Sequence, residues 1–338
     1  MLRAVAVAAL FFGTSVVTSA QPAVTLMAEV LLSDRLGLSS AEMGRFAAGE
    51  VISRSVPETA ANEIAAVGAL RSAGNLKRLI AWMRDIESFM RAAGTQNVGA
   101  IKMPTTAADF ARLNLDDVEF ADLASCRPGR CAVRMPAAYL QRFQKEVNFK
   151  ASDARAQAAA LTRTLVAEYV DAYQKGGDAA VGALHDPSAP DQPASQFRDM
   201  LRRSTKVWDL AFPFVSYLET YPAKAPARIE SRFYWTRDAA IRKPTLTLHH
   251  VVLEELQEGR MLLGDKQFYA SRDLDAALMI ALAIPAADYK SFDLIVSVKA
   301  RAGAISGVTG RVLRGRIEQE MTEGLRTYLT WIRDSMKL

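Results

Sequence analysis

The sequence predicts an α+β fold: an antiparallel β-meander closed by a long C-terminal helix, with a large helical insert ahead of it. Three observations carry this prediction. Apolar residues alternate with period 2 in successive segments of 228–301. In 311–338 they recur every three or four residues instead. Between 95 and 225 the pattern is helical, broken by Gly and Pro clusters.

Five segments read as strands: 229–236, 244–256, 260–271, 275–284 and 290–301. The clearest runs from Ser291 to Lys299. Phe292, Leu294, Val296 and Val298 share one face, while Ser291, Asp293, Ser297 and Lys299 share the other with Ile295 among them. One buried face is expected of such alternation. Short linkers such as Glu258-Gly259 and Pro285-Ala286-Ala287-Asp288 suit hairpins, hence a meander. In the closing helix Leu313, Ile317, Met321, Leu325, Leu329, Ile332 and Met336 make one apolar stripe, about seven turns long. The stripe must be buried, and the sheet is the nearest apolar surface. A curved sheet against a long helix leaves room for a ligand, so a cavity is expected between them.

The rest of the chain divides by pattern. Residues 1–20 combine Arg3, an apolar run from Ala4 to Val17, and the small residues Thr18-Ser19-Ala20. That is the pattern of a signal peptide, which implies export to the periplasm or beyond the cell. No other run is apolar and long enough to cross a bilayer, so no transmembrane segment is expected in the mature chain. Residues 21–56 form a leader with a short helix starting at Ser39-Ser40-Ala41-Glu42. Residues 57–94 form a strand–helix unit. Its strand, 63–70, can join the late sheet. Its helix opens at Gly74-Asn75 and runs through Leu79, Trp82, Met83, Ile86 and Phe89. Residues 95–225 hold helices near 105–113, 116–123, 135–147, 152–175, 195–203 and 207–221. The longest has Leu161, Leu165, Tyr169 and Tyr173 as its stripe and ends at Gly176-Gly177. Three prolines make 186–193 an exposed loop. Residues 226–338 are the sheet and its helix.

Of the 338 residues, 50% are hydrophobic and 23% charged, enough for a large core. The formal charge of +5 is dispersed along the chain and gives no case for nucleic acid. The only cysteines, Cys126 and Cys131, flank Arg-Pro-Gly-Arg. In an exported chain such a pair reads as a disulfide, and Pro128-Gly129 suits the turn between them. The closed loop is short, so stabilisation at or below ~2–4 kcal/mol is expected. A reducible redox pair is the lesser reading. With no His near them, a metal is not expected.

Chemistry-bearing residues are few. The histidines are His185, His249 and His250. No Gly-x-Ser-x-Gly elbow or His-Glu-x-x-His helix accompanies them, so neither metal nor cofactor is expected. His249 and His250 point to opposite faces of one strand. His250 is expected inward with Leu246, Leu248 and Val252, first as a hydrogen-bonded sheet residue, then as a ligand contact, and last as a general base. Tyr234-Trp235 and Phe268-Tyr269 bring aromatics into the same sheet, with Lys266 close enough to balance a carboxylate or phosphate. Tyr234, Trp235, His250, Lys266, Phe268 and Tyr269 are therefore the candidate ligand-binding set, with core packing as the competing reading. Gly303, Gly307 and Gly310 lead into Arg311, Arg314 and Arg316 at the start of the last helix. Basic residues there oppose the helix dipole. An anion or a membrane surface would offset them, and so would Glu318 or Glu320 one turn on. Gly-Val-Thr-Gly-Arg lacks the Gly-Lys-Ser/Thr of a P-loop, which excludes nucleoside triphosphates.

Cys126-Arg-Pro-Gly-Arg-Cys131, Phe233-Tyr234-Trp235, Lys266-Gln267-Phe268-Tyr269-Ala270-Ser271 and the Gly/Arg-rich start of the last helix together resemble a family of uncharacterised exported bacterial proteins. The resemblance covers most of the mature chain and implies no activity. Where family members often carry His after Tyr-Ala-Ser, this chain has Arg272. In architecture the late meander and closing helix are similar to the helix-grip fold of START-like lipid-binding domains, which hold ligand between sheet and C-terminal helix. The helical insert departs from that fold, and fold does not fix function. The expectation is thus an exported binder of a hydrophobic or amphipathic small molecule, such as a lipid, leaning away from an enzyme. The alternatives are a hydrolase or cyclase-like enzyme using His250, and an assembly protein docking through the insert.

Overall fold

The computed structural model of the chain describes residues 28–127, 131–184, 193–202, 212–223, 228–239 and 243–337. The signal sequence expected at 1–20 lies outside the described residues, as do His185, Pro128-Gly129 and almost all of the 186–193 loop.

Eight strands form one antiparallel sheet: β1 (Ile52–Val56), β2 (Glu63–Ala73), β3 (Val98–Ile101), β4 (Ile229–Ala239), β5 (Pro244–Glu255), β6 (Met261–Ala270), β7 (Ala276–Pro285) and β8 (Ser291–Arg301), in the order β1-β2-β8-β7-β6-β5-β4-β3. Strands β4 to β8 are the expected meander. The early strand β2 joins it, pairing with β8 along its whole length from Glu63↔Arg301 to Ala73↔Ser291. Two short edge strands carry little sequence signal. Ile-Ser-Arg-Ser-Val (β1) alternates over five residues, and Val-Gly-Ala-Ile (β3) has only four. Gly99 on β3 is needed because the Trp235 indole lies against it: a Cβ there would sit 2.4 Å from Nε1.

Helices cover both faces. On one side lie α1 (Leu76–Arg84), α2 (Ile86–Ala92) and the closing helix α3 (Gly307–Met336). Leu325, Leu329, Ile332 and Met336 bury the lower half of the expected stripe against Ala66, Leu70, Leu294 and Val296, with Trp82, Phe89 and Trp331 packed at the edge. On the opposite face lie the helices of the insert. They are α4 (Asp117–Ser125), α5 (Ala137–Glu146), α6 (Ala154–Gly176), α7 (Pro193–Arg202) and α8 (Phe212–Thr220). From α6, Val166, Tyr169, Val170 and Tyr173 bury themselves against Leu246, Leu248, Phe268 and Leu278.

Covering both faces corrects the expectation of a one-sided sheet. The polar face of β8 is buried as well: Asp293, Ser297 and Lys299 are all below a tenth exposed. Their charges are matched in place. Lys299 Nζ lies 2.9 Å from Glu58 and 3.0 Å from Glu63, and Arg71 donates to Asp293 at 2.7 Å. Buried charges persist only when paired in this way.

Candidate functional site

The predicted ligand set does not converge on one point. Tyr234 faces α3, whereas Trp235, His250, Lys266, Phe268 and Tyr269 face the insert. Strand alternation separates Tyr234 from Trp235. A β-bulge keeps Phe268 and Tyr269 together. Leu248 pairs with Tyr269 and His249 with Gln267, which makes Phe268 the extra residue of β6.

The space expected between sheet and C-terminal helix is closed where β2 meets α3. Gly68 lets Leu325 and Leu329 come so close that a Cβ there would lie 2.5 Å from Leu329 Cδ1. The chemistry lies on the other face.

There His250 is fully buried. Its Nδ1 lies 3.3 Å from the Tyr173 hydroxyl and its Nε2 3.1 Å from Ser231 Oγ. Burial holds the Tyr173 phenol well above its ordinary value, so it stays neutral, and the two hydroxyls can serve either tautomer of the imidazole. Burial, with the Lys266 charge second, holds the imidazole pKa well below the usual histidine range. It stacks on Phe233 at 4.5 Å and meets Tyr221 at 4.4 Å. Among the described residues no carboxylate bonds it, so His250 is a neutral core residue with the hydrogen bonds of a sheet histidine.

Lys266 is 1% exposed. Its ammonium donates to Asp178 at 2.7 Å and to the Leu218 carbonyl at 3.1 Å, and lies 4.3 Å above the Phe197 ring. Burial pushes its pKa down against the opposing pull of Asp178. The expected role of balancing a ligand anion is therefore taken by Asp178, just beyond α6. Phe268 stacks on Tyr173 at 3.9 Å, which locks α6 to the sheet beside this pair. Trp235 donates to the Asp109 carbonyl at 3.0 Å.

Tyr269 differs from the rest. Its hydroxyl donates to the Arg134 carbonyl at 2.7 Å, and its ring forms part of an apolar cavity of about 50 Å³. The sheet side of this cavity is Leu246, Leu248, Tyr269 and Ser271. The insert side includes Leu113, Leu123, Val133, Phe143, Leu165 and Tyr169. Leu115, Pro136, Tyr139 and Thr162 are partly exposed and form its mouth. The disulfide helps to shape it. Cys126 and Cys131 are bonded, buried, and 4.4 Å apart at Cα. Leu123 and Val133, just outside the pair, are wall residues. Arg272 holds this segment to the end of β6, donating to the Ala132 carbonyl at 3.0 Å and to Asp122 at 2.6 Å.

On the α3 side the second histidine has the carboxylate that His250 lacks. His249 Nδ1 lies 2.9 Å from Asp265 Oδ1, and Tyr234 donates to Asp265 Oδ2. His249 Nε2 lies 2.9 Å from Thr247 Oγ1, and Thr236 Oγ1 lies 2.7 Å from Thr247 Oγ1. Strand alternation places Thr247 and His249 on one face. Asp265 is 16 residues from His249, and only pairing of β5 with β6 brings them together.

Two of the three arginines at the start of α3 are paired with glutamates of the same helix. Arg314 pairs with Glu318 at 2.8 Å and Arg316 with Glu320 at 2.7 Å, each one turn on. Arg314 also reaches the Ala60 and Ala61 carbonyls. Arg311 is exposed. Among the described residues no group of three metal-ligating side chains occurs, and no helix is long and apolar enough to cross a membrane. No protein-family model and no curated protein matches the chain.

Proposed function

We propose that the protein is an exported, non-enzymatic binder of a small hydrophobic or amphipathic molecule, held between the helical insert and the sheet. The observation that carries this reading is the apolar cavity at Tyr269, bounded on one side by the meander and on the other by α4, α5 and α6. Preformed apolar concavities with a few polar groups are where small molecules bind. At about 50 Å³ the cavity is small beside the ~300–1,000 Å³ that enclose drug-sized ligands. The occupant is therefore a compact apolar molecule, or one end of a longer lipid whose remainder lies outside the mouth. Export is supported by the apolar run from Ala4 to Val17 and by the disulfide, which persists in oxidising compartments. Among the described residues the exposed large apolar side chains of the insert are Met103 and Val118, which form no broad docking patch.

Titration with a neutral solvatochromic dye tests this reading. Saturable, one-to-one binding is expected for the native protein. Thr162→Phe, a substitution at the partly exposed mouth, is expected to abolish it. Dye binding that is absent, or indifferent to Thr162→Phe, sinks the proposal.

A second reading, acyl transfer, is favoured by one observation: the Asp265–His249–Thr247 chain has the order in which a histidine draws a hydroxyl proton. Thr247 Oγ1 would attack the carbonyl carbon of an ester as its proton passes to His249 Nε2, which then gives that proton to the departing alkoxide, leaving an acyl-threonine and an alcohol. A fluorophosphonate probe should then leave a covalent adduct on Thr247, located by mass spectrometry of the digest. A wild-type protein that stays unlabelled excludes it.

A further inference from the structure

Taking the cavity reading as its basis, we infer that the ligand is uncharged and carries a hydrogen-bond acceptor (an ester, ketone or alcohol oxygen) that receives the Tyr169 hydroxyl.

Two independent observations lead here. The first is an unmatched donor. Tyr169 lines the cavity and is 3% exposed, yet its hydroxyl has no hydrogen-bond partner among the described residues. Buried polar groups are almost always satisfied, and an exception calls for a partner. Three other hydroxyls of the wall are engaged. Tyr269 donates to the Arg134 carbonyl, Thr162 donates back to the Ala158 carbonyl, and Ser271 Oγ accepts from the Leu246 amide. Tyr139 sits half-buried at the mouth, where water reaches it. Tyr169 is held in place by the ring of Tyr269 at 5.0 Å and that of Phe268 at 6.4 Å.

The second observation is electrostatic. Three arginines near the cavity each have a carboxylate, and a fourth, Arg163 beside Thr162, donates to the Ala111 and Leu113 carbonyls. Arg237 is held by Asp116 and Glu119, Arg134 by Asp275, and Arg272 by Asp122. Glu119 is itself a wall residue, so the lining holds one matched carboxylate and no lysine or arginine. An anionic head drawn in here would be desolvated beside Glu119 without a counter-ion, which is strongly unfavourable. A cationic head would meet Glu119 already neutralised by Arg237. A neutral acceptor meets no such penalty and completes the Tyr169 donor.

The test uses the full mature protein and four probes with a common short alkyl body: methyl hexanoate, hexanoate, hexyltrimethylammonium and heptane. Affinities are read by displacement of the neutral dye. Methyl hexanoate is expected to bind at least tenfold more tightly than hexanoate or the ammonium. Tyr169→Phe removes only the hydroxyl. It is expected to weaken methyl hexanoate about three- to tenfold, the range of one net hydrogen bond, and to leave heptane unchanged. Its melting temperature should not fall, since no protein partner is lost. Equal binding of all polar probes, or a Tyr169→Phe protein that binds methyl hexanoate as the wild type does, overturns the inference while leaving the cavity reading standing. Failure of every probe and of the dye removes the cavity reading itself. Preference for the ammonium overturns the neutral assignment in favour of the tyrosine faces.

Discussion

His250 makes a quantitative test of the insert–sheet interface. In the folded protein burial keeps its pKa well below 6.5, whereas an unfolded histidine titrates near ~6.5. As pH falls below that value the unfolded chain binds a proton that the folded chain refuses. Stability is therefore complete above ~6.5 and is lost on acidification, with a slope of about 1.36 kcal/mol per pH unit per proton. The unfolded chain's proton uptake alone sets a ceiling of about 2 kcal/mol between pH 7 and 5. Lys266, its nearest charge, keeps the penalty in place, because its partner Asp178 satisfies the ammonium and not the imidazole. The perturbation is His250→Gln. The amide can accept from Tyr173 and donate to Ser231, but it does not titrate. Urea unfolding of both proteins at pH 7.0, 6.0 and 5.0 reads the effect. Subtracting the two pH profiles removes His249 and every other group the proteins share. The wild type should lose more stability than the variant as the pH falls from 7 to 5, up to that ceiling of about 2 kcal/mol. Parallel profiles would refute the reasoning, since they would mean that His250 takes its proton as readily folded as unfolded.

Two further outcomes follow from the packing. Asp178→Ala leaves the Lys266 ammonium buried with only a carbonyl and two ring faces. It should cost about 3–5 kcal/mol by urea unfolding, while Lys266→Met combined with Asp178→Leu should recover most of that loss. Leu329→Ala empties a fully buried position over Gly68 and should cost about 2–5 kcal/mol. A loss below about 1 kcal/mol there would mean that α3 settles into the gap.

Much of the fold was legible because it rests on local periodicity. The alternation in 229–301 marked β4 to β8, and the stripe from Leu313 to Met336 marked α3. The edge strands β1 and β3 were not legible. Five and four residues are too few to establish a period, and Gly99 is dictated by the distant Trp235. The buried place of His250 beside Leu246, Leu248 and Val252 was readable from strand parity. Tyr169 and Tyr173 were visible as a helical stripe, but their partners on β6 were not.

The sequence by itself determined the element types, the meander, the cysteine pair and the face on which His250 lies. All of these depend on neighbours within a few residues, where backbone geometry sets which side chains share a side. Tertiary structure decided which layer covers which face. The insert covers the Lys266 side, so a lysine that the sequence leaves open to a ligand is instead bound to Asp178, 88 residues away. The same decision buried the polar face of β8 and placed the cavity at Tyr169 and Tyr269 instead of under the closing helix. Two amphipathic layers can each satisfy one side of a sheet. The choice between them lies in long-range steric fits such as Leu329 on Gly68 and Phe268 on Tyr173.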